Sequence, residues 1–411
     1  MNLRALAPTL LLVLSLPVVA QDYKTTVLPK LNGLNTFGFS MNASGQVVGV
    51  GVIPGDGGRN FVWSRQGGIV DITGSTPFQI WKNNAGGMIA GETEVNAIDK
   101  AAILSPDGSL QDLGTLGGAL SVATSINDQG QVAGCSDTPT SPQYYQNAFF
   151  WSASTGMLNL GDSTLTLGCA PFTVIGNGGR VAGTLTNNDV FLWTQDQGMQ
   201  DLGFTGFPTA VNEVGAIVGN LCCGSSNAFY WTQAGGVQNL GVLPGFVFSF
   251  AKSINSHGQV VGTLGGQSGS KRVFIWTQAA GMKLLPPTSG KWEGHAINDA
   301  GQIVLDGPFA TRLLTPIMKV ALTSSGNPSQ VGQAVTFTVA VTSVQGAPPD
   351  GENIVLKDGS KVLGTAALSA GSASFETSNL KAGTHTIVAN YVGDVNYFSS
   401  KSAVVKQVVN P

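Results

Sequence analysis

Four cysteines are the most reactive side chains of this 411-residue sequence: Cys135, Cys169, Cys222 and Cys223. Cysteines can form disulfide bonds or supply thiolate ligands to a metal. The adjacent pair Cys222-Cys223 would need further ligands to hold a metal. The three histidines, His257, His295 and His385, do not lie at a ligand-like spacing from any cysteine. We therefore favour structural disulfides and expect no bound metal.

Catalytic motifs are not found in the sequence. It contains no Gly-x-Ser-x-Gly elbow, no phosphate-binding loop, no zinc-binding His/Glu helix and no Asp-x-Asp-x-Asp calcium pattern. Asp128 and Asp299 fall within Asn-x-x-Gly turns, where polar side chains ordinarily shape a hairpin. The sequence therefore predicts a non-enzymatic protein without a cofactor. A polysaccharide-processing enzyme would require clustered carboxylates and is the enzymatic alternative.

A set of aromatic residues and one histidine begin or precede recurring apolar segments and could bind a ligand. They are Phe37, Phe39, Phe78, Trp81, Phe207, Phe248, Trp292 and His295. Exposed aromatic faces stack on sugars and on apolar peptide side chains, so these residues would suit a glycan or a protein ligand if they gathered around one mouth. Because they recur along the chain, they could instead fill the space between neighbouring structural units.

The first twenty residues have the features of a secretory signal peptide. Arg4 precedes an apolar run that ends in Val18-Val19-Ala20, a small-residue cleavage pattern. Pro17 interrupts the run, which is short for a membrane anchor, so we expect cleavage before Gln21. No later stretch approaches the roughly 20 apolar residues that a membrane span needs. The sequence therefore predicts export, to a compartment where disulfides are stable.

Composition indicates an all-β protein. The chain has 56 glycines and 19 prolines, yet 42% of its residues are hydrophobic, which is typical of many short strands joined by tight turns. Only 10% of residues are charged and the net charge is −3, so there is no basic surface that could follow a phosphate backbone. Nucleic acid is not expected as a partner.

One sequence phrase recurs seven times, for example as SINDQGQVAG from Ser125 and SINSHGQVVG from Ser253. The copies end at Gly49, Gly91, Gly134, Gly183, Gly219, Gly262 and Leu305. Their spacing of about 40 residues is typical of the blades of a β-propeller. Within each repeat, the Asn-x-x-Gly turn predicts a hairpin of two strands, and a third strand and a half-exposed fourth strand follow.

The third strand ends in a tryptophan in five repeats: Trp63, Trp151, Trp193, Trp231 and Trp276. We expect these five residues to lie in the core. The second repeat has Ala101–Leu104 at this place, and the seventh, at Pro308–Leu314, has no fourth strand after it. The N-terminal segment Thr25–Pro29 can supply that strand. The sequence therefore predicts a seven-bladed β-propeller with N-terminal strand closure, which leaves no long exposed sheet edge.

The repeat positions also favour one disulfide. Cys135 follows a predicted second strand and Cys169 precedes a predicted first strand, so both would lie on the same face of the propeller. We therefore prefer a Cys135–Cys169 pair.

Residues 22 to 314 resemble the HAF family of bacterial extracellular repeats. The resemblance rests on DLGTLGG from Asp112, on the IN-x-x-GQVVG phrase and on aromatic runs such as AFFW at Ala148–Trp151. The histidine of the HAF motif is replaced by Asn147, Asn227 and Arg272 in three repeats, which argues against a chemical role for that position. The resemblance implies an extracellular location and a repeat architecture.

The period ends near Pro316, and longer alternating segments such as VTFTVAV from Val335 predict an immunoglobulin-like β-sandwich. The turn formed by Gly393, Asp394, Asn396 and Tyr397 resembles that of bacterial Ig-like domains. The predicted organisation is therefore a signal peptide (1–20), a propeller (21–315) and a bacterial Ig-like domain (316–411).

These features predict a secreted, non-enzymatic binding or scaffold protein of the bacterial surface or surroundings. The propeller face would be the platform for an extracellular glycan or protein, and the Ig-like domain would be a spacer. A purely structural component of the envelope or matrix is the alternative. After signal cleavage no membrane span is expected.

Overall fold

The computed structural model describes residues 22–52, 58–74, 77–95, 98–140, 146–161, 173–222, 226–287 and 289–411. Over these residues the protein is all-β, with 36 strands and no α-helix. Among them, no helix is long and apolar enough to cross a membrane. The predicted signal peptide, Cys169 and Cys223 lie outside the described residues.

Seven antiparallel units of four strands, here called sheets 1 to 7, make up the chain as far as Pro316. The first strand of each sheet is followed by the Asn-x-x-Gly turn, which begins with Gly176 in place of asparagine in sheet 4, and then by the second strand. In sheets 1 to 7 the first strands are β2 (Asn35–Met41), β6 (Phe78–Asn83), β10 (Ser121–Ile126), β14 (Val174–Ile175), the second half of β17 (Gly198–Val211), β21 (Phe248–Ile254) and β25 (Glu293–Ile297). The second strands are β3 (Val47–Val52), β7 (Ile89–Val95), β11 (Val132–Ser136), β15 (Val181–Thr184), β18 (Ile217–Leu221), β22 (Val260–Gly265) and β26 (Ile303–Asp306).

The third and fourth strands complete each sheet. The third strands are β4 (Gly58–Ser64), β8 (Ile98–Leu104), β12 (Asn147–Ser152), β16 (Asp189–Thr194), β19 (Ala228–Thr232), β23 (Lys271–Thr277) and β27 (Thr311–Pro316). The fourth strands are β5 (Gly68–Asp71), β9 (Leu110–Asp112), β13 (Gly156–Asn159), the first half of β17, β20 (Gly236–Asn239), β24 (Gly281–Leu284) and, in sheet 7, β1 (Tyr23–Val27). The strand β17 is continuous and therefore joins sheets 4 and 5.

The N-terminal strand β1 pairs with β27 in antiparallel register, from Tyr23 opposite Pro316 to Val27 opposite Arg312. The segment that the sequence analysis assigned to the seventh repeat therefore pairs there. Sheet 7 combines strands from the two ends of the repeat region, which ties those ends together.

The seven first strands contact one another in succession, and β25 of sheet 7 contacts β2 of sheet 1. Each first strand begins at the end of its sheet where the long connecting loops lie, here called the loop end. It finishes at the Asn-x-x-Gly turn, at the opposite or turn end. The third and fourth strands are also joined at the turn end.

Asparagine side chains link the sheets at the turn end. The Asn42 side-chain amide donates to the carbonyl of Asn84 at 2.9 Å, and the Asn84 amide donates to the carbonyl of Asn127 at 3.0 Å. The Asn212 amide donates in the same way to the carbonyl of Asn255, and the Asn255 amide donates to the carbonyl of Asn298, each at 3.1 Å. We call Asn42, Asn84, Asn127, Asn212, Asn255 and Asn298 the asparagine ladder.

The same asparagines also hold their own turns. The Asn42 Oδ1 accepts the backbone N–H of Gln46 at 2.9 Å, and Asn127 accepts that of Gln131 at 2.9 Å. In the fourth repeat Gly176 takes this position, and its carbonyl accepts from Asn127 at 3.1 Å. The repeated phrase therefore encodes both a turn and a link to the next sheet.

A β-bulge interrupts the pairing of the first and second strands at one place in six sheets. It brings the first-strand backbone close to the glycine that ends the repeated phrase. A Cβ on Gly49 would lie 2.0 Å from the Phe37 carbonyl oxygen, and one on Gly262 would lie 2.0 Å from that of Phe250. The recurring glycine is therefore required by close backbone approach.

The core lies between adjacent sheets. Trp63, Trp151, Trp193, Trp231 and Trp276 are all buried, as predicted. The Trp193 ring lies 5.1 Å from that of Phe150 in the preceding sheet. Burial of such large rings is a major source of stability.

The C-terminal domain has two sheets packed on one core. The first contains β28 (Lys319–Ser324), β30 (Val335–Thr342) and β33 (Ser372–Thr377). The second contains β29 (Ser329–Gln330), β36 (Val405–Asn410), β34 (Gly383–Tyr391), β31 (Asn353–Asp358) and β32 (Lys361–Ala367), with β35 (Ser400–Lys401) paired to β34. In the predicted turn, Asp394 accepts the N–H groups of Asn396 and Tyr397 at 2.8 Å each.

The C-terminal domain packs against the turn end of the seven sheets. Gln345 hydrogen-bonds with both Tyr23 and Gln259, and Lys319 pairs with Asp22 at 2.9 Å. Burial raises the pKa of Tyr23, so its hydroxyl stays neutral.

An aromatic contact adds to this interface. The ring of Phe398 contacts two cations, and its centroid is 3.8 Å from the Lys24 ammonium and 4.0 Å from the Arg65 guanidinium. Arg65 also donates to the Thr315 hydroxyl at 3.1 Å. These contacts place the C-terminal domain over the end that carries the asparagine ladder.

Candidate functional site

Six first strands carry a bulge, and the type of residue at the bulge varies among these sheets. We call these six residues the bulge ring: Phe39, Trp81, Thr124, Thr209, Lys252 and His295. Lys252, His295, Phe39 and Trp81 belong to sheets 6, 7, 1 and 2, whose first strands are successive neighbours. One side of the ring is therefore aromatic and basic, whereas the two threonines lie in sheets 3 and 5.

The threonines of the bulge ring form hydrogen bonds with main-chain carbonyl groups. The Thr209 hydroxyl donates to the carbonyl of Ala251 in the next sheet at 3.0 Å, and Thr124 lies 2.5 Å from the carbonyl of Thr173. They link sheets in the way the asparagine ladder does at the turn end. The members in sheets 6, 7, 1 and 2 are better suited to contact a ligand, because their side chains are larger and chemically diverse.

Phe39 and Trp81 form the aromatic part of the ring. The Phe39 side chain is 38% exposed and Trp81 is half-buried. The Trp81 Nε1 is buried without a hydrogen bond of normal geometry, although it helps to stabilise the charge of nearby Glu92. Burial and the charge of Asp99 nevertheless raise the pKa of Glu92 to about 7. A carboxyl group with a pKa near 7 is partly protonated at neutral pH, so it can either donate or accept a hydrogen bond.

His295 lies in a group of ionisable residues in sheet 7. Its Nε2 is 3.4 Å from Asp306 Oδ2. Burial and the positive charge of Lys252 lower the pKa of His295 to about 4, so the imidazole is neutral at pH 7. Burial raises the pKa of Asp306 to about 7, although bonds from Thr311 and from the Gly38 N–H favour its charged form. His295 and Asp306 are therefore a weakly charged pair, not an ion pair.

Glu293 and Lys271 form the charged part of this group, with Lys271 Nζ 2.5 Å from Glu293 Oε1. Burial alone would raise the pKa of Glu293, but the hydrogen bond and charge of Lys271 lower it below its usual value. Both side chains are about 40% exposed, so this pair can meet a ligand from solvent.

Several predicted ligand-binding aromatics are packed instead. Trp292 is only 8% exposed, donates to the Ser289 carbonyl at 2.9 Å and carries Arg312 on its ring face at 4.2 Å. Phe248 covers Gly265 and lies 4.8 Å from the ring of Phe250.

Phe78 packs in the cluster of Val48, Ile80 and Ile89 between sheets 1 and 2. Phe37 and Phe207 are half-buried. Of the eight candidates, the bulge ring brings together Phe39, Trp81 and His295.

Sequence reasoning missed three residues of this region. Phe309 is 72% exposed in the connection between β26 and β27 at the loop end. Lys252 and Asp306 stand beside His295. Lys252 could have been found by aligning the repeats on the first strand, because it occupies the position of Phe39 and Trp81.

A cavity of about 160 Å³ lies at the turn end, lined by members of the asparagine ladder and by Lys82. The Lys82 Nζ is 3.3 Å from the Ser125 hydroxyl. Burial lowers the pKa of Lys82, although the charge of Asp128 opposes this. The wall of this cavity is polar, and side chains in it take part in the hydrogen bonds between sheets.

Cys135 takes part in a disulfide bond. Its preferred partner, Cys169, lies outside the described residues, so the pairing stays a prediction. Within the part of the chain that the structure describes, no three His, Cys, Asp or Glu residues are grouped as metal ligands would be.

Residues 322–410 match the family model of the bacterial Ig-like domain (group 3). This confirms the predicted nature of the C-terminal domain. No curated protein matches the sequence.

Three of the solved structures to which this chain is similar are the following. The extracellular domain of a hybrid two-component system from B. thetaiotaomicron is 10% identical, with a TM-score of 0.47, over 95% of this chain and 59% of that one. A prolyl endopeptidase is 10% identical (TM-score 0.45), over 78% of this chain and 54% of that one. The WD40 β-propeller domain of Doa1 is 15% identical (TM-score 0.44), over 71% of this chain and 97% of that one. The chain thus spans little more than half the length of the first two. Similarities this distant carry no functional argument.

Proposed function

We propose that this chain is a secreted, non-enzymatic binding protein whose seven sheets form a closed seven-bladed β-propeller. The proposed ligand is an extracellular glycan that enters from the loop end and is held by the aromatic and basic side of the bulge ring. The resemblance of the repeats to the HAF family and the features of residues 1–20 support an extracellular location.

The asparagine ladder supports the closed ring, because its bonds run from sheet to sheet and link sheet 7 to sheet 1. The pairing of β1 with β27 supports it further. A closed ring would hold the bulge residues on adjacent strands at fixed separations, and a preorganised site loses less entropy on binding.

The observation that carries the proposal is the juxtaposition of Phe39 and Trp81 on neighbouring first strands, next to His295 and Lys252. Aromatic faces stack on the C–H faces of sugar rings, and neighbouring polar groups fix their orientation through hydrogen bonds. The described contacts of the Ig-like domain lie at the turn end, so a ligand would approach the bulge ring from the loop end. As a spacer, the Ig-like domain would hold the loop end of the seven sheets away from the point at which the domain itself is attached.

Binding of the mature protein from Gln21 to a glycan array and to purified peptidoglycan tests this function. The informative variant is Phe39→Ala/Trp81→Ala, and Val214→Ala is the matched control because Val214 is 71% exposed in a hairpin turn at the turn end. We expect specific retention by wild type and the control, and at least a tenfold loss in the double variant with an unchanged circular dichroism spectrum.

Absence of glycan binding by the folded wild type would overturn the glycan proposal. Retention of a protein partner through the same two aromatics would instead favour a protein-binding platform.

A further inference from the structure

A cavity of about 440 Å³ lies between sheets 1 and 2. Its walls are mainly aliphatic and come from both sheets: Val62, Val70 and Ile72 from sheet 1, and Ile89, Leu104 and Leu110 from sheet 2. Phe78 and Pro106 also line it, and Gln46 and Ser105 supply uncharged polar edges. Among the residues that the structure describes, those that line this cavity carry no charged side chain. Its size falls within the range of small-molecule sites.

The cavity occurs where sheet 2 departs from the repeat pattern. Leu104 pairs with Ile89 in the register in which Trp63 pairs with Val47 and Trp151 with Val132. In other sheets the tryptophan at this position packs against the preceding sheet. The Trp276 ring, for example, lies 5.0 Å from Tyr230. Leucine lacks the bulk of an indole ring, so space remains beside Leu104.

In the seventh sheet a leucine also replaces the tryptophan, and a residue from another segment fills the space beside it. There Leu314 pairs with Ile303 in the tryptophan register. Tyr23, from the N-terminal strand, is only 6% exposed and packs in the same cluster as Leu314 and Ile275 of the preceding sheet. An aromatic ring from another segment therefore completes the core beside this leucine. Beside Leu104 the corresponding space is the cavity.

We propose that the cavity between sheets 1 and 2 is a binding site for a small, uncharged, planar aromatic molecule of about the size of indole. Five repeats place an indole ring at the equivalent position, and the seventh places a phenol ring nearby. The aliphatic walls exclude a charged ligand, because a charge would lose its hydration without gaining a partner. This site is separate from the bulge ring, so its existence does not depend on the proposed glycan function.

The full mature chain is to be titrated with indole by isothermal calorimetry, and its melting temperature measured with and without indole. We expect saturable binding with one site per chain and a melting temperature that rises with indole concentration. Leu104→Trp fills the cavity from within, so it should weaken indole binding at least tenfold and raise the melting temperature of the unliganded protein.

Leu158→Trp is the matched control, because Leu158 is exposed on the fourth strand of sheet 3 and does not line this cavity. It should bind indole as wild type does. If Leu104→Trp fails to fold, Val70→Trp fills the cavity from its exposed rim and should give the same loss. The proposal is overturned if folded wild type does not bind indole, or if a folded cavity-filling variant binds it as tightly as Leu158→Trp.

Discussion

The side-chain amide of Asn298 donates to the main-chain carbonyl of Asn42, 3.4 Å away and 256 positions earlier in the sequence. This bond joins sheet 7 to sheet 1 by the same interaction that joins sheets within the repeat region. The two asparagines thus connect the ends of the repeats through side chains, in addition to the strand pairing of β1 with β27.

Asn298→Ala should destabilise the repeat region by about 1–3 kcal/mol. The change removes the donor to Asn42 and also the acceptor for the Gln302 N–H, which is 2.9 Å from Asn298 Oδ1. Both lost bonds involve buried groups, which makes them costly to leave unpaired. The free energy of unfolding in urea measures the effect.

Asn147→Ala is the control for this variant, because the Asn147 side-chain amide donates to Asn159 Oδ1 at 3.1 Å in an exposed position. It should change stability by less than about 0.5 kcal/mol. Equal unfolding midpoints for the two variants would mean that the ladder bond contributes nothing measurable.

Gly176→Asn should destabilise the protein even though it restores the residue type found in the other six repeats. A Cβ at position 176 would lie 2.7 Å from the Val211 carbonyl oxygen and 3.0 Å from that of Asn212. Because those atoms belong to the backbone, the strand must shift to make room. We expect a loss of about 1–3 kcal/mol in the unfolding free energy, typical of steric overpacking.

Gly326→Ala is the matched control, since a Cβ there meets nothing within 4 Å. It should be close to neutral. An unchanged or higher unfolding midpoint for Gly176→Asn would show that the ladder bond outweighs the steric conflict.

Much of the architecture could be predicted from the sequence, because the same pattern of residues occurs in seven repeats. The Asn-x-x-Gly turns, the third-strand tryptophans and the N-terminal strand all follow from period and alternation. Whether Trp292 packs or binds a ligand was left open, because the sequence does not show that its ring packs against Gly307 and carries Arg312 on its face. The bulge ring was also missed, since a bulge depends on pairing geometry that the residue pattern does not reveal.

Asp306→Asn should become progressively more stable than wild type as the pH rises from 5 to 8. Burial raises the pKa of Asp306 in the folded protein to about 7, whereas an unfolded aspartate titrates near 4. The unfolded state therefore loses its proton first, and stability falls as the pH rises toward the folded pKa. The neutral asparagine escapes this loss, so the difference in unfolding free energy should grow by roughly 1–3 kcal/mol.

Melting curves at pH 5 and pH 8 test this prediction. His295 also makes stability depend on pH, because burial lowers its pKa to about 4 in the folded protein while an unfolded histidine titrates near 6.5. Wild type and the variant share this contribution, so it cancels in the difference between them. Asp196→Asn, in an exposed turn, should differ from wild type equally at both pH values. A constant difference for Asp306→Asn as well would show that Asp306 is ionised in the fold.

Phe398→Ala/Gln345→Ala should release the Ig-like domain from the turn end without unfolding either part. The first change removes the ring that Lys24 and Arg65 contact, and the second removes the hydrogen bonds to Tyr23 and Gln259. Neither side chain belongs to the buried core of the Ig-like domain. Cation–π contacts contribute about 0.5–2 kcal/mol each, enough to hold a small interface closed.

Small-angle scattering and calorimetry of the full mature chain measure this release. The radius of gyration should increase, and unfolding should separate into two transitions, because the tether near Pro316 and Lys319 alone couples the domains weakly. Phe309→Ala removes an exposed ring at the opposite end and should leave both measurements unchanged. If the double variant scatters as wild type does, the remaining contacts, among them the ion pair of Lys319 with Asp22, suffice to fix the domain.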